Sequence, residues 1–396
     1  MTTRLYYKDP FLLEFDATIV GGGQHEERFF TVLDRSAFYP TSGGQQHDTG
    51  RLNDVEIVDV IESNSGEVWH ISGRPVGSVG AAVKGVIDKS RRQRHRQQHT
   101  AQHILSQTFV RLFGFNTVSV HLGEEYGAIE FDTKEISAAQ LDEAEQFAMQ
   151  IVFDNLPIEI LFIDSSQVAD TPLRRAPTRG GEIRVIKIGE LDYSACGGTH
   201  CATTGEVGII KIIGTEKLRG RPLVKFFSGV KAFEDYRTRY DVSDRIAQSL
   251  TCNVVDLPEK LIKLQEENKA VKQELVRVLK DGLPARAQEL AKSATEHNGI
   301  RLVCENIGSF DVRLAGQLAG QTAEIVNGVA VLFTEGRLII AVSEGCSMQA
   351  SQIAKNLTAQ AGLKGGGSAK LAQLGGAESG IIGQYREQLK RILESA

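Results

Sequence analysis

Two short motifs carry side chains able to hold a metal ion. His99-Thr-Ala-Gln-His103 sets two imidazoles four residues apart. In a helix that spacing stacks both rings on one face, close enough to reach one ion. Cys196-Gly-Gly-Thr-His200 offers a thiolate and an imidazole around two glycines, which let the chain turn sharply about a bound ion. Three nitrogen donors and one sulfur suit zinc best, ahead of cobalt, nickel or iron. Four protein ligands close a zinc shell, whereas hydrolytic zinc keeps one position open. Two readings stay open: one ligand is loose, with His200 the candidate, or the ion mainly orients a substrate. Cys201 follows His200 and points the other way in an extended segment, so it reads as a packed thiol. Asp192 reads equally as a hydrogen-bond partner for a ligating imidazole or as a turn residue.

The elements that must position these motifs follow from hydrophobic period. Residues 1–88 alternate apolar and polar positions in short, glycine-punctuated runs at 16–20, 28–33, 55–60 and 67–71, the pattern of a small β-barrel or sandwich. Residues 91–112 read as one long helix carrying both imidazoles. Strands are expected at 117–122, 128–131, 158–163, 182–188, 208–215 and 223–229, with a helix at 138–155. Residues 89–240 therefore read as an α+β sandwich. Within 241–297, Leu257, Leu261, Leu264, Asn268, Val271, Leu275 and Val278 step by heptad spacing. That seam, with a second helix at 285–297, reads as a coiled coil or a helical hairpin. Residues 298–396 alternate strands and helices as a separate α/β domain, with a glycine-rich loop at 365–376 and a last helix at 381–393.

Bulk composition excludes some classes. Hydrophobic residues make up 41% and charged residues 24% of the 396 positions, a globular balance with no apolar run long enough for a membrane span. The N-terminus lacks the pattern of a secretory signal, and five cysteines do not make a disulfide scaffold, so a cytoplasmic location is expected. The net charge of −5 argues against a generic nucleic-acid binder. Local charge differs: Lys89, Arg91, Arg92, Arg94 and Arg96 crowd the start of the metal helix.

HTAQH, together with the run DYSACGGTHCATTGEVGIIKI, resembles the editing domain of alanyl-tRNA synthetase and its free-standing relatives, the alanyl-tRNA editing proteins of the AlaX group. LDRSAFYPTSGGQQHDTG at 33–50 is similar to the glycine-rich segment preceding that domain. GGGSAKLAQLGG at 365–376 resembles the signature of the DHH-associated domain that ends the synthetase. The order fits the long AlaX form over nearly the whole chain, with Cys201 standing where the family usually has valine.

The resemblance implies a trans-editing hydrolase that deacylates Ser-tRNA(Ala), with Gly-tRNA(Ala) as a second candidate, and that edits without charging tRNA. It implies one zinc per chain on His99, His103, Cys196 and His200, and the acceptor end of tRNA(Ala) as partner. Thr117, Ser119 and His121 alternate along a strand and are expected to share the face that lines a seryl pocket. Gln45 is expected at the acceptor end. Arg91, Arg92, Arg94 and Arg96 are expected on tRNA phosphates, with Arg174, Arg175, Arg179, Lys364 and Lys370 as further candidates. A homodimer would form through the coiled coil or the C-terminal domain. The competing readings are a threonyl-type editing enzyme and a non-catalytic tRNA-binding protein whose zinc is structural.

Overall fold

Alternation in the N-terminal segment becomes strand: in Glu14–His25, Phe15, Ala17 and Ile19 point inward while their neighbours face solvent. The structure is a computed structural model describing residues 2–175, 181–378 and 382–394. Residues 1–246 form one compact unit and 247–396 a second. Arg179 lies outside the described residues.

In the first unit, β1 (Glu14–His25), β2 (Arg28–Leu33), β3 (Gly50–Leu52), β4 (Val55–Glu62), β5 (Val68–Ser72) and β6 (Ala82–Ile87) close a barrel in the order β1-β2-β5-β4-β3-β6. Phe38, Leu52, Ile57, Val60 and Val68 fill its core. Asp88 then caps α1 (Lys89–Phe113), its side chain accepting the Arg91 N–H, and Gly114 ends the helix in the left-handed region. α1 packs on a four-stranded antiparallel sheet of β7 (Thr117–Leu122), β8 (Gly127–Phe131), β12 (Ile210–Leu218) and β13 (Arg221–Ser228), ordered β12-β13-β8-β7. Ile104, Leu105 and Phe109 of α1 share one core with Ile129, Phe131, Val224 and Phe226. α2 (Ala138–Phe153) joins that core. A second sheet of β9 (Ile158–Asp164), β10 (Glu182–Ile188) and β11 (Asp192–Ala195) delivers the chain to the CGGTH loop. The mixed α+β class with a barrel agrees with the reading of the sequence. α3 (Gly229–Ser249) follows β13.

The second unit holds a six-stranded sheet, β14-β15-β16-β17-β19-β18, formed by Thr295–His297, Ile300–Asn306, Val329–Thr334, Arg337–Val342, Leu371–Gly375 and Lys364–Gly367 respectively. Only β15 and β16 pair in parallel. α6 (Val312–Val326), α7 (Ala350–Ala361) and α8 (Ile382–Glu394) complete it.

Two expectations fail here. The glycine-rich run at 365–376 is a β-hairpin and not a loop: a Cβ on Gly367 would sit 2.2 Å from the Leu371 carbonyl oxygen, so glycines let two backbones meet. The internal hairpin of helices is also absent. α4 (Leu257–Asp281) buries no residue, while α5 (Leu283–Ala291) puts Leu283 and Ala287 into the core beside α6. Residues 295–297 pair as a strand because His297 and Thr295 face β15 in register. Among the described residues no helix is long and apolar enough to cross a membrane.

Candidate metal centre

α1 brings His99 and His103 to one face, and the turn after β11 brings Cys196 and His200 against them. One ligand atom from each lies within 4.8 Å of every other. Cys196 Sγ is 3.5 Å from His99 Nε2 and 3.4 Å from His200 Nε2. A tetrahedral zinc with ordinary Zn–N and Zn–S bonds separates such atoms by about 3.6 Å, so the donor set fits that ion.

Each imidazole is held by its outer nitrogen, leaving the inner one for the centre. His103 Nδ1 donates to Asp192 Oδ2 at 3.0 Å, and Asp192 also accepts from Ser194 and pairs with Arg174. His99 Nδ1 lies 2.8 Å from Gln45 Oε1. That amide is oriented by the Thr199 N–H, which must donate to Oε1, while Nε2 donates to Thr199 Oγ1. The proton of His99 is therefore on Nδ1. His200 Nδ1 shares a longer 3.2 Å hydrogen bond with Thr100 Oγ1. Outer partners of this kind fix ring orientation and tautomer.

The shifts in protonation favour ligation at Cys196, His99 and His200 and oppose it at His103. Burial alone would raise the Cys196 thiol, but the adjacent His99 and His200 hold it well below its ordinary value, as thiolate. Burial, then the His99 charge, keeps His200 well below the ordinary imidazole value. Burial lowers His99 as well. For His103 burial is outweighed by hydrogen bonds to Asp192 and Cys196, and its value rises. The Gly198 N–H also donates to Cys196 Sγ.

The loop is pinned by Arg184 of β10, which belongs to no recognisable motif. Its Nη1 donates to the carbonyls of Cys196 and Gly198, and its Nε to that of Tyr7. Gly198 is required by space: a Cβ there would lie 2.1 Å from His99 Cε1. Thr100 and Thr199 sit inside HTAQH and CGGTH, where a closer reading of the motifs could have found them.

Other expected site residues separate. Gln45 is 1% exposed with its amide fully engaged, so it supports His99 and does not reach for an RNA end. Replacing Gln45 by leucine is expected to weaken zinc binding about 10- to 100-fold, measured by competition with a chromophoric chelator. An unchanged affinity would remove this role. Thr117 does not share a face with Ser119 and His121. A bulge between Glu130 and Phe131 shifts the register, pairing Thr117 with core residue Phe131 and Ser119 with Glu130. Thr117 Oγ1 consequently bonds Ser106 of α1, while Ser119 Oγ donates to Glu130 on the opposite face and His121 is exposed beside Gly123.

The basic run also divides. Arg92 is fully buried against Asp48, so it cannot meet phosphate. Arg96 stacks its guanidinium 3.9 Å from the Phe11 ring centre. Arg94 faces outward, paired with Glu234, while Arg91 is largely covered, donating to the His47 carbonyl and pairing with Glu124. Arg174 is drawn inward to Asp192.

Residues 183–221, which carry β10, β11 and the CGGTH loop, match the threonyl and alanyl tRNA synthetase second additional domain. The alanyl-tRNA editing protein AlaX-L of Pyrococcus horikoshii is 31% identical over 94% of both chains. The chain belongs to the alanyl-tRNA editing protein family. The alanine–tRNA ligase of Archaeoglobus fulgidus is also 31% identical, over 94% of this chain but 42% of the ligase, so this member of the editing family spans less than half of that relative. Among solved structures, the C-Ala domain of Aquifex aeolicus alanyl-tRNA synthetase is similar over 26% of this chain, at 19% identity and a TM-score of 0.24.

Proposed function

We propose that this protein hydrolyses the ester of mischarged tRNA(Ala), Ser-tRNA(Ala) first and Gly-tRNA(Ala) as a second candidate, at a single zinc ion. The observation that carries the reading is the convergence of three imidazoles and one thiolate, each imidazole oriented through its outer nitrogen. His99, His103, Cys196 and His200 would hold the ion. A zinc ion supplies Lewis acidity toward an ester carbonyl, or an anchor for the amino group beside it.

The chain's own residues do the positioning. Asp192 and Gln45 fix the two helical imidazoles, and Arg184 holds the carbonyls of the CGGTH turn so that Cys196 stays aimed at them. His200 has the longest supporting hydrogen bond of the three imidazoles, and Thr100 Oγ1 also accepts the Cys201 N–H. That favours His200 as the ligand that yields a position to substrate. Membership in the editing family and the matched synthetase domain support the tRNA ester as substrate.

The test is deacylation of Ser-tRNA(Ala), Thr-tRNA and Ala-tRNA(Ala) by the full chain. The proposal expects rapid loss of serine from tRNA(Ala), slow loss of alanine, and no preference for Thr-tRNA. Preferential loss of threonine would move the reading to the threonyl type. No loss above the uncatalysed rate on any substrate would leave a tRNA-binding protein with structural zinc.

A further inference from the structure

Within the first unit lies a cavity of about 330 Å³ that the proposed chemistry does not use. Two helix N-termini meet at it. Ser90 comes from the first turn of α1, and Ser228 and Lys231 flank the start of α3. Helix N-termini carry partial positive charge and favour anions, although here the Asp88 side chain already accepts the Arg91 N–H of α1 and Gln97 Oε1 the Val230 N–H of α3, so the cations of the wall carry most of the attraction. Arg91, Arg94 and Lys231 put three cations on the wall against the two carboxylates of Asp88 and Glu124. Arg94 is tethered to Glu234 at 2.6 Å, an exposed pair that contributes little and exchanges readily, whereas Arg91 is held in place by the His47 carbonyl and by Glu124. Lys231 has no ion pair among the described residues, and its Nζ lies 5.7 Å from the Phe227 ring centre.

A separate feature points to a ligand. Ser228 is 5% exposed, lines this cavity, and its Oγ is buried without a hydrogen-bond partner. A buried hydroxyl left unpaired costs free energy unless something supplies the bond. Tyr126 and Phe227 add aromatic surface of the kind on which bases stack. The volume is at the small end of ligand sites, enough for one nucleotide and not for a folded partner. His95, on the same wall, is one α1 turn before His99, roughly 6 Å along the axis. One ribose-phosphate unit bridges that separation.

We infer that this cavity is a subsite for one nucleotide of the RNA strand that carries the ester, with its phosphate toward the two helix starts and its base against the aromatic wall. The inference rests on the tRNA substrate proposed above. It assigns Arg94, Lys231 and Ser228 to substrate binding, through RNA and not through the amino acid.

The experiment measures binding of uncharged tRNA(Ala) to the full chain across a salt series, beside steady-state deacylation of Ser-tRNA(Ala). Arg94→Gln/Lys231→Gln is expected to lower the slope of log affinity against log salt by about 0.7 to 0.9, the share of the one phosphate, and to weaken binding severalfold at low salt. Arg28→Gln/Arg51→Gln, the same charge change on exposed barrel arginines, is expected to leave the slope unaltered. Ser228→Val, which removes the hydroxyl and keeps the bulk of the side chain at the wall, is expected to raise KM severalfold with kcat kept. Equal slopes in the two double variants, or a kcat loss without KM change in Ser228→Val, would overturn the subsite. If the slope falls as expected but no variant or parent deacylates, the RNA subsite stands and the hydrolase reading fails.

Discussion

Cys196→Ala protein is expected to purify without zinc and to leave Ser-tRNA(Ala) intact. The thiolate is the one donor in contact with two imidazole nitrogens, and its charge offsets the cost of gathering a dication among buried groups. Removing it leaves three neutral rings around a cation, and zinc affinity should fall by more than about a hundredfold, the upper end of what loss of a mere outer partner costs. Cys201→Ala is the matched control. Its thiol is buried and pushed up to about 12, chiefly by that burial, so it stays protonated and is no ligand. Normal metal content and turnover in Cys196→Ala, or metal loss in Cys201→Ala, would contradict the assignment.

Arg92→Ala is expected to lower the stability of the 1–246 unit by about 3–5 kcal/mol, the usual cost of leaving one member of a buried ion pair alone. Arg92 and Asp48 are both fully buried. The guanidinium also donates to the carbonyls of Pro10 and Ala37, so one side chain ties α1 to the barrel. Burial by itself would raise the Asp48 carboxyl; the Arg92 charge and the hydrogen bonds from His95, Arg92 and the Tyr39 N–H together outweigh it and hold the group below its ordinary value. A depressed carboxylate contributes stability above its ordinary value, and that contribution is lost as pH falls through the lower folded value. The deficit of Arg92→Ala should therefore be greatest near neutral pH and shrink in acid, as Asp48 protonates in both proteins. Chemical unfolding followed by a probe in the first unit checks this. A parent-like midpoint at neutral pH would contradict it.

The convergence of His99, His103, Cys196 and His200 was legible because chelation would impose a spacing: four positions on a helix for one pair, and a glycine turn for the other. The β-rich N-terminal segment, barrel or sandwich, and the helix carrying His99 and His103 were legible from period alone. What stayed hidden depends on which groups meet across long sequence separations. Nothing local marks Arg92 as different from Arg91 or Arg94; only Asp48, brought in by the barrel, makes it a buried anchor. Gln45 looked available to RNA because its partners, His99 and Thr199, are distant in sequence. Thr117 obeyed the period-two rule on paper, and one bulge turned it to the other face. The glycine run at 365–376 reads as a loop by composition, yet close backbone approach within a hairpin asks for the same residues.

Cobalt(II) in place of zinc gives the most direct test, since its visible spectrum reports both coordination number and sulfur ligation. The full chain loaded with one equivalent should show the intense d–d bands of a four-coordinate ion. A near-ultraviolet thiolate charge-transfer band should accompany them and vanish in Cys196→Ala. Weak bands of a six-coordinate ion with no charge-transfer band would mean that the two segments do not share a metal.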